Sequence, residues 1–291
     1  MVKIAILRRK ELGNNCHFVA DAFKELFNKV VPICQPLEVP PEAEFIIRWG
    51  TTTNLPNKAA KVINKAKAIH ETSDKSAFRK KAEIAGLAPR IWRTLDAFLA
   101  DPFVCMDGVV IRPLKHERSK DIYFGVYEED IRAEVKKLER KHGAGNYYIS
   151  EYIKKDREIR VFMAQGRVIL VLEKKPKRKG DISWGCVDDG FFQYVRWSEW
   201  PLAAVEVAIK AFNLSDLDFG AVDLMIKDGK GYALEVNTAP EVWPYFGECL
   251  ARALNYMIVH DRKRLPIKDY KNWKNIIHPA MTEKDQKVQG D

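Results

Sequence analysis

Two acids and an amide near residue 230 carry the strongest chemical signal. The stretch Asp218–Glu241 reads as two strands around a turn. Ala221–Ile226 alternates apolar and polar residues and stops at Asp228-Gly229, a strong hairpin dipeptide. Tyr232–Val236 resumes the strand. Successive strand side chains point to opposite faces, so Glu235 and Asn237 share one. A hairpin of this size can bring Asp223 opposite Glu235. Two carboxylates and an amide oxygen, framed by apolar residues, are costly to bury unless cations join them. Hard oxygen ligands with open positions suit Mg²⁺ held between protein and substrate phosphates. Taken alone, the stretch reads equally well as a surface hairpin with scattered acids.

The elements around this hairpin set the frame. The chain of 291 residues is long enough for two or three small domains with a real core. Its hydrophobic content of 46% and aromatic content of 11% fit a globular protein. No apolar run is long enough to span a bilayer. The opening MVKIAILRRK reads as a first strand, not as a signal peptide. The five cysteines (Cys16, Cys34, Cys105, Cys186 and Cys249) are widely spaced without zinc spacing, as reduced cytosolic thiols would be. A cytoplasmic location is therefore expected. The net charge of +9 suits an anionic partner such as a nucleotide, an acidic peptide or nucleic acid, and equally suits solubility charge around a nucleotide site.

Strands at 2–7, Val30–Ile33 and Phe45–Trp49 alternate with helices capped at Asn14-Asn15 and spanning Pro56–Ala68. This pattern predicts a small open α/β domain over residues 1–70. A helix over Asp74–Ala85, capped by Thr72 or Ser73, opens the next unit and ends at Gly86. A charged helix follows at 128–142, with Ile131, Val135 and Leu138 inward. Strands are expected at Gly108–Pro113, Tyr147–Ile153, Arg157–Met163 and Val168–Leu172. Helices are expected at Pro201–Phe212 and Pro244–His260, and a frayed polar end from Glu283.

Asp223, then Glu235-Val236-Asn237 followed by Pro240, resembles the metal-binding signature of the ATP-grasp superfamily. Other elements match in the family's order over roughly residues 71–262. Within the superfamily the chain resembles the ligases that add glutamate to ribosomal-protein tails and the D-alanine–D-alanine ligases. The resemblance implies an α/β fold with α+β lobes: a pre-ATP-grasp domain (1–70), a small lobe (71–150), a C-terminal lobe with the metal site (151–270) and a tail (271–291). It implies an ADP-forming ligase that joins a carboxylate to an amine through an acyl phosphate. Its cofactors would be ATP and two Mg²⁺ ions, with Mn²⁺ as a substitute.

The resemblance also implies roles for individual residues. Asp223, Glu235 and Asn237 would hold the metal. Lys75, at a helix start in TSDKSAFRKK, would reach the phosphates. Arg112 stands where the family carries a lysine, and guanidinium is not a simple replacement for ammonium. Glu151, Tyr152 and Ile153 would meet the adenine edge, and Glu158, seven residues after Glu151, the ribose. Arg160 would face the reaction centre. The loop LKHERSKDI would cover the phosphates, with His116, Arg118, Ser119 and Lys120 as polar contacts. Lys120 and Arg160 are the candidate catalytic residues.

The basic run Lys174–Lys179 reads first as a solvated loop, although it falls where relatives build the acceptor-substrate site. Trp184, Trp197 and Trp200 near it could stack on single-stranded nucleic acid or fill a core. Two other readings stay open: a non-catalytic ATP-binding regulatory module on the same fold, and a nucleic-acid-binding protein. The substrates implied are a carboxylate and an amine, small or peptidic, with no membrane partner.

Overall fold

The apolar strands at the start of the chain pair in parallel, which requires crossovers between them. In a computed structural model the described residues are 2–8, 14–55, 60–101, 107–114, 121–176, 184, 191–261 and 263–288. Strands β1 (Ile4–Arg8), β2 (Ile33–Cys34), β3 (Phe45–Trp49) and β4 (Lys61–Ile63) form one sheet in the order β2-β1-β3-β4. Helix α1 (His17–Phe27) crosses from β1 to β2 and buries Val19, Ala22 and Phe23.

Three local expectations change here. The helix expected over Pro56–Ala68 is replaced at Lys61–Ile63 by β4, and α2 (Ala66–Ser73) starts only afterwards. Val62 and Ile63 pair with Ile46 and Ile47 of β3, and this long-range pairing outweighs local helix propensity. Asn14 and Asn15 form a 3-10 turn, not a cap, and Cys16 takes the N-cap position of α1. Thr72 and Ser73 finish α2, so Asp74 caps α3 (Lys75–Ile84), accepting from the Ser76 and Ala77 N–H groups.

A second sheet, ordered β5-β8-β6-β7, is antiparallel throughout. It contains β5 (Ile91–Trp92), β6 (Val109–Pro113), β7 (Tyr123–Gly125) and β8 (Tyr147–Glu151), with the short helix α4 (Leu95–Leu99) after β5. Helix α5 (Glu128–His142) covers it with Ile131, Val135 and Leu138. Acids in its first turn and bases in its last match the helix dipole.

The third sheet runs β11-β10-β9-β12-β13 and is also antiparallel. Its strands are β9 (Arg157–Ala164), β10 (Arg167–Lys175), β11 (Phe191–Tyr194), β12 (Phe219–Lys227) and β13 (Lys230–Asn237). Gln165-Gly166 and Asp228-Gly229 close the tight turns with positive φ at both residues. Helices α6 (Leu202–Leu214) and α7 (Pro244–His260) pack on this sheet. Fully buried side chains such as Phe162, Leu170 and Phe246 each contribute roughly 1.5–3 kcal/mol of transfer free energy.

The first and third sheets share one core. A Cβ on Gly247 of α7 would lie 2.8 Å from the Phe18 carbonyl of α1, so glycine allows the two helices to close. Asn64, at the end of β4, joins the sheets through polar bonds. Its backbone N–H donates to Asp218 Oδ2 at 2.7 Å, and its Oδ1 accepts from the Asp218 and Phe219 N–H groups.

The C-terminal residues also join this core, where a frayed end is expected. Helix α8 (Trp273–Ile276) sets Trp273 against Trp197, and α9 (Glu283–Val288) carries a buried Asp285 bonded to Tyr245, Arg252 and Thr282. Trp197 and Trp200 are buried, so neither is available to stack on nucleic acid. Among the described residues, no helix is long and apolar enough to cross a membrane.

Candidate active site

Strand parity and register assemble the site. Glu158, Arg160 and Phe162 alternate onto one face of β9. Register sets Arg160 beside Asp223 on β12 and Glu158 beside Lys174 on β10. Asp223 in turn lies opposite Glu235 on β13, and Ala221 opposite Asn237, with a register shift just after Asp223. The result is a row of Glu235, Asp223 and Arg160 across three strands, flanked by Glu158 and Lys174.

Every carboxylate in the row is ion-paired. Arg160 grips Asp223 with two bonds, Nε to Oδ1 at 2.6 Å and an Nη to Oδ2 at 2.9 Å. Lys174 Nζ lies 2.8 Å from Asp223 Oδ2 and 2.7 Å from Glu158 Oε1. Lys155 Nζ takes the other Glu158 oxygen at 2.5 Å. Lys75, the first residue of α3, reaches Glu235 Oε2 at 2.8 Å. Burial opposes charge on all three acids. The Arg160 and Lys174 charges outweigh it at Asp223, those of Lys174 and Lys155 at Glu158, and that of Lys75 at Glu235. Each carboxyl is thereby held below its ordinary range. For Lys174, burial disfavours the ammonium, but Asp223 and Glu158 keep its pKa raised.

More positive charge comes from α3 and β6. Arg79 is buried, donates to the Leu234 carbonyl at 2.8 Å and lies over the Tyr148 ring at 5.3 Å. Arg112 pairs in register with Tyr148, and its charge acts on both Arg79 and Lys155. Its buried Nε has no hydrogen-bond partner among the described residues. Six cationic side chains (Lys75, Arg79, Arg112, Lys155, Arg160 and Lys174) thus surround three carboxylates (Glu158, Asp223 and Glu235). This surplus suits a polyanion.

The oxygen donors fit a hard cation as well. Asp223 and Glu235 face each other, and the buried Asn237 Nδ2 lacks a hydrogen-bond partner among the described residues. An amide flip exchanges its oxygen and nitrogen, so the oxygen can be presented at the same place. Among the described residues no cluster of three His, Cys, Asp or Glu side chains could hold a metal. Two carboxylates and an amide leave positions for phosphate oxygens and water, which is how Mg²⁺ is commonly held.

The remaining residues singled out in the sequence fall at the passage from β8 to β9. The Glu151 N–H donates to the Arg90 carbonyl at 3.0 Å, while the Glu151 carboxylate accepts from the Arg90 N–H at 3.3 Å. The Tyr152 N–H donates to the Gly108 carbonyl at 3.1 Å, and its ring meets Phe124 edge-on. Ile153 is buried. Both Glu158 oxygens are engaged by ammonium groups, so this acid anchors Lys155 and Lys174. Lys120, His116, Arg118 and Ser119 lie outside the described residues, as do residues 177–179 of the basic run.

Lys174 corrects the reading of that run as solvated: it is buried at the centre of the ion-pair network. Strand parity holds the signal that finds it, because Lys174 continues the β10 alternation that pairs Leu172 with Arg160. Lys155 and Arg79 also belong to the site, and in sequence both look like ordinary basic surface.

The sequence matches no protein-family model and no curated protein. Its fold matches solved structures along nearly their whole length. D-alanine–D-alanine ligase from Bacillus anthracis aligns with a TM-score of 0.64 over 89% of this chain and 97% of its own, at 12% identity. D-cycloserine synthetase DcsG aligns at 0.63 over 88% and 99%, at 16% identity. The ATP-grasp ligase PsnB, solved with a phosphomimetic variant of its minimal precursor, Mg and ADP, aligns at 0.63 over 89% and 99%, at 13% identity. The chain has the α/β fold of the ATP-grasp ligases. At such identities the likeness defines the fold and leaves the chemistry to the side chains described above.

Proposed function

We propose that this chain is an ATP-dependent ligase that joins a carboxylate to an amine through an acyl phosphate. The observation that carries this reading is the Glu235–Asp223–Arg160 row, with Lys75 and Lys174 on its acids, set in an ATP-grasp fold. ATP lies between the second and third sheets, with its base at the Glu151–Ile153 passage. Lys75, Arg79 and Arg112 direct positive charge at its phosphates. Asp223, Glu235 and Asn237 would hold Mg²⁺, which would supply charge neutralisation to the phosphates.

The chemistry then balances in two transfers. A carboxylate oxygen of the first substrate bonds to the γ-phosphorus as the bond to ADP breaks. The amine nitrogen of the second substrate bonds to the acyl carbon as inorganic phosphate leaves, and the amine gives up a proton. The protein's contribution is to orient the reactants and to stabilise developing charge, with Arg160 fixed in place by Asp223. No covalent intermediate with the protein is required.

The surplus of cations favours a substrate that brings negative charge of its own. Small molecules and peptides both fit, since the macrocyclase MdnC from Microcystis aeruginosa, which aligns with a TM-score of 0.61 at 12% identity, was solved bound with precursor peptide MdnA. The test is ADP release from Mg-ATP in the presence of amino acids, polyamines, peptides and modified nucleotides, with products identified by mass spectrometry. A ligated product formed in proportion to ADP supports the proposal. ADP formation that no carboxylate–amine pair stimulates would count against it.

A further inference from the structure

The two acids suited to a divalent cation already carry cations of the protein's own. Lys75 sits on Glu235 at 2.8 Å and Lys174 on Asp223 at 2.8 Å. Directly opposed strand positions place like charges close together, so these ammoniums also relieve repulsion between Asp223 and Glu235. Both are single point charges on flexible stems, unlike the bidentate guanidinium of Arg160. Each has somewhere else to go. Lys174 already shares its charge with Glu158, and Lys75 stands at the start of α3 with its side chain 30% exposed.

We infer that Lys75 and Lys174 are resident counter-ions that close Asp223 and Glu235 to a divalent cation until nucleotide phosphates draw the two ammoniums away. This rests on the reading of the site as one for nucleotide and metal. An ammonium and a metal ion compete for the same carboxylate oxygens, so free metal must displace both lysines unaided. Phosphate oxygens accept the displaced ammoniums, and metal and nucleotide therefore load together. Linkage requires the effect to be reciprocal: nucleotide raises metal affinity by the same factor by which metal raises nucleotide affinity.

The test is Mn²⁺ binding, followed by the electron paramagnetic resonance signal of free Mn²⁺, with and without ADP. The proteins are the wild type and the Lys75→Met/Lys174→Met double variant. In the wild type, ADP should tighten Mn²⁺ binding at least about tenfold. Without ADP, the double variant should bind Mn²⁺ at least about tenfold more tightly than the wild type, because Glu235 loses its counter-ion and Asp223 keeps only Arg160. Equal Mn²⁺ affinity of the wild type with and without bound ADP overturns the inference. So does a folded double variant, checked by circular dichroism, that gains no affinity. If the double variant does not fold, the single Lys75→Gln and Lys174→Gln variants replace it with the same expected direction. ADP that fails to bind under any metal condition defeats the ligase reading instead, and the ADP-free comparison of variant with wild type then decides this inference alone.

Discussion

Lys174 reaches from β10 across the intervening strand β9 to Asp223 on β12, its Nζ 2.8 Å from Oδ2. The same ammonium holds Glu158 at 2.7 Å. One buried cation thus ties two acids on neighbouring strands, and Arg160 closes the group from between them. Removing one member of such a group leaves an unpaired buried charge, which costs more than the intact pair contributes.

Glu235→Gln and Asn237→Ala should each lower turnover by roughly 100-fold or more, since a phosphate-bridging ion supplies several kcal/mol of charge stabilisation. Lys75, the partner of Glu235, has a side chain 30% exposed and can turn to water when the acid is neutralised, so the first variant should melt close to the wild type. ADP production and a thermal melt check both statements. Near-normal turnover in either variant would remove these residues from the metal site.

Glu158→Gln keeps the shape of the side chain and removes its charge. Two ammoniums then face a neutral amide in a buried place, at a cost of about 3 kcal/mol. Urea unfolding should show this loss at neutral pH. A role confined to the ribose would leave stability unchanged and raise only the KM for ATP, because ribose contacts act about equally in the ground and transition states.

Much of this architecture is legible locally. Asp228-Gly229 announces the hairpin that opposes Asp223 to Glu235, and the periodicities of 128–142 and 244–260 match α5 and α7 residue for residue. What sequence hides depends on distant partners. Lys61–Ile63 becomes a strand only because β3 offers it an edge. Lys174 looks solvated until Asp223, 49 residues on, folds beside it. Asp285 looks like part of a polar tail until Arg252 and Tyr245 meet it. The hairpin pairing is therefore legible in sequence, and Lys75 and Arg160 are singled out by resemblance, whereas the meeting of Lys155 and Lys174 with Glu158 and Asp223 is not.

Arg112 stands where lysine is expected, and its buried Nε lacks a partner among the described residues. Arg112→Ala should weaken ATP binding by about 1.5–3 kcal/mol, the range for a charged hydrogen bond. Arg112→Lys should keep much of the affinity if only the charge matters, and should match alanine if the planar fork is needed. Calorimetric ATP titration of both variants tests this, and two silent variants would place Arg112 outside the nucleotide site.

His278 offers a pH signal separate from the candidate active site. It is fully buried, its Nε2–H donates to Gln165 Oε1 at 2.9 Å, and Nδ1 accepts from the Ala280 N–H. Burial, with help from Arg167, pushes its pKa down to about 3. The folded state therefore refuses a proton that the unfolded chain takes below about 6.5. Stability is full above that value and falls as pH drops toward 3, by about 2 kcal/mol at pH 5. Glu158 and Asp223, both lowered, add their loss only below their unfolded values near 4. Urea unfolding between pH 7 and 5 should show the slope, and His278→Asn should flatten it despite a lower overall stability. An unchanged slope in that variant would assign the effect to another group.

The central claim is that the row of Glu235, Asp223 and Arg160 serves a nucleotide and its metal. Equilibrium titration of ATP onto the wild-type chain, with and without Mg²⁺, tests it most directly. The account predicts saturable one-to-one binding that Mg²⁺ strengthens and that Glu235→Gln makes insensitive to Mg²⁺. A wild-type chain that binds no ATP, with or without Mg²⁺, would contradict it.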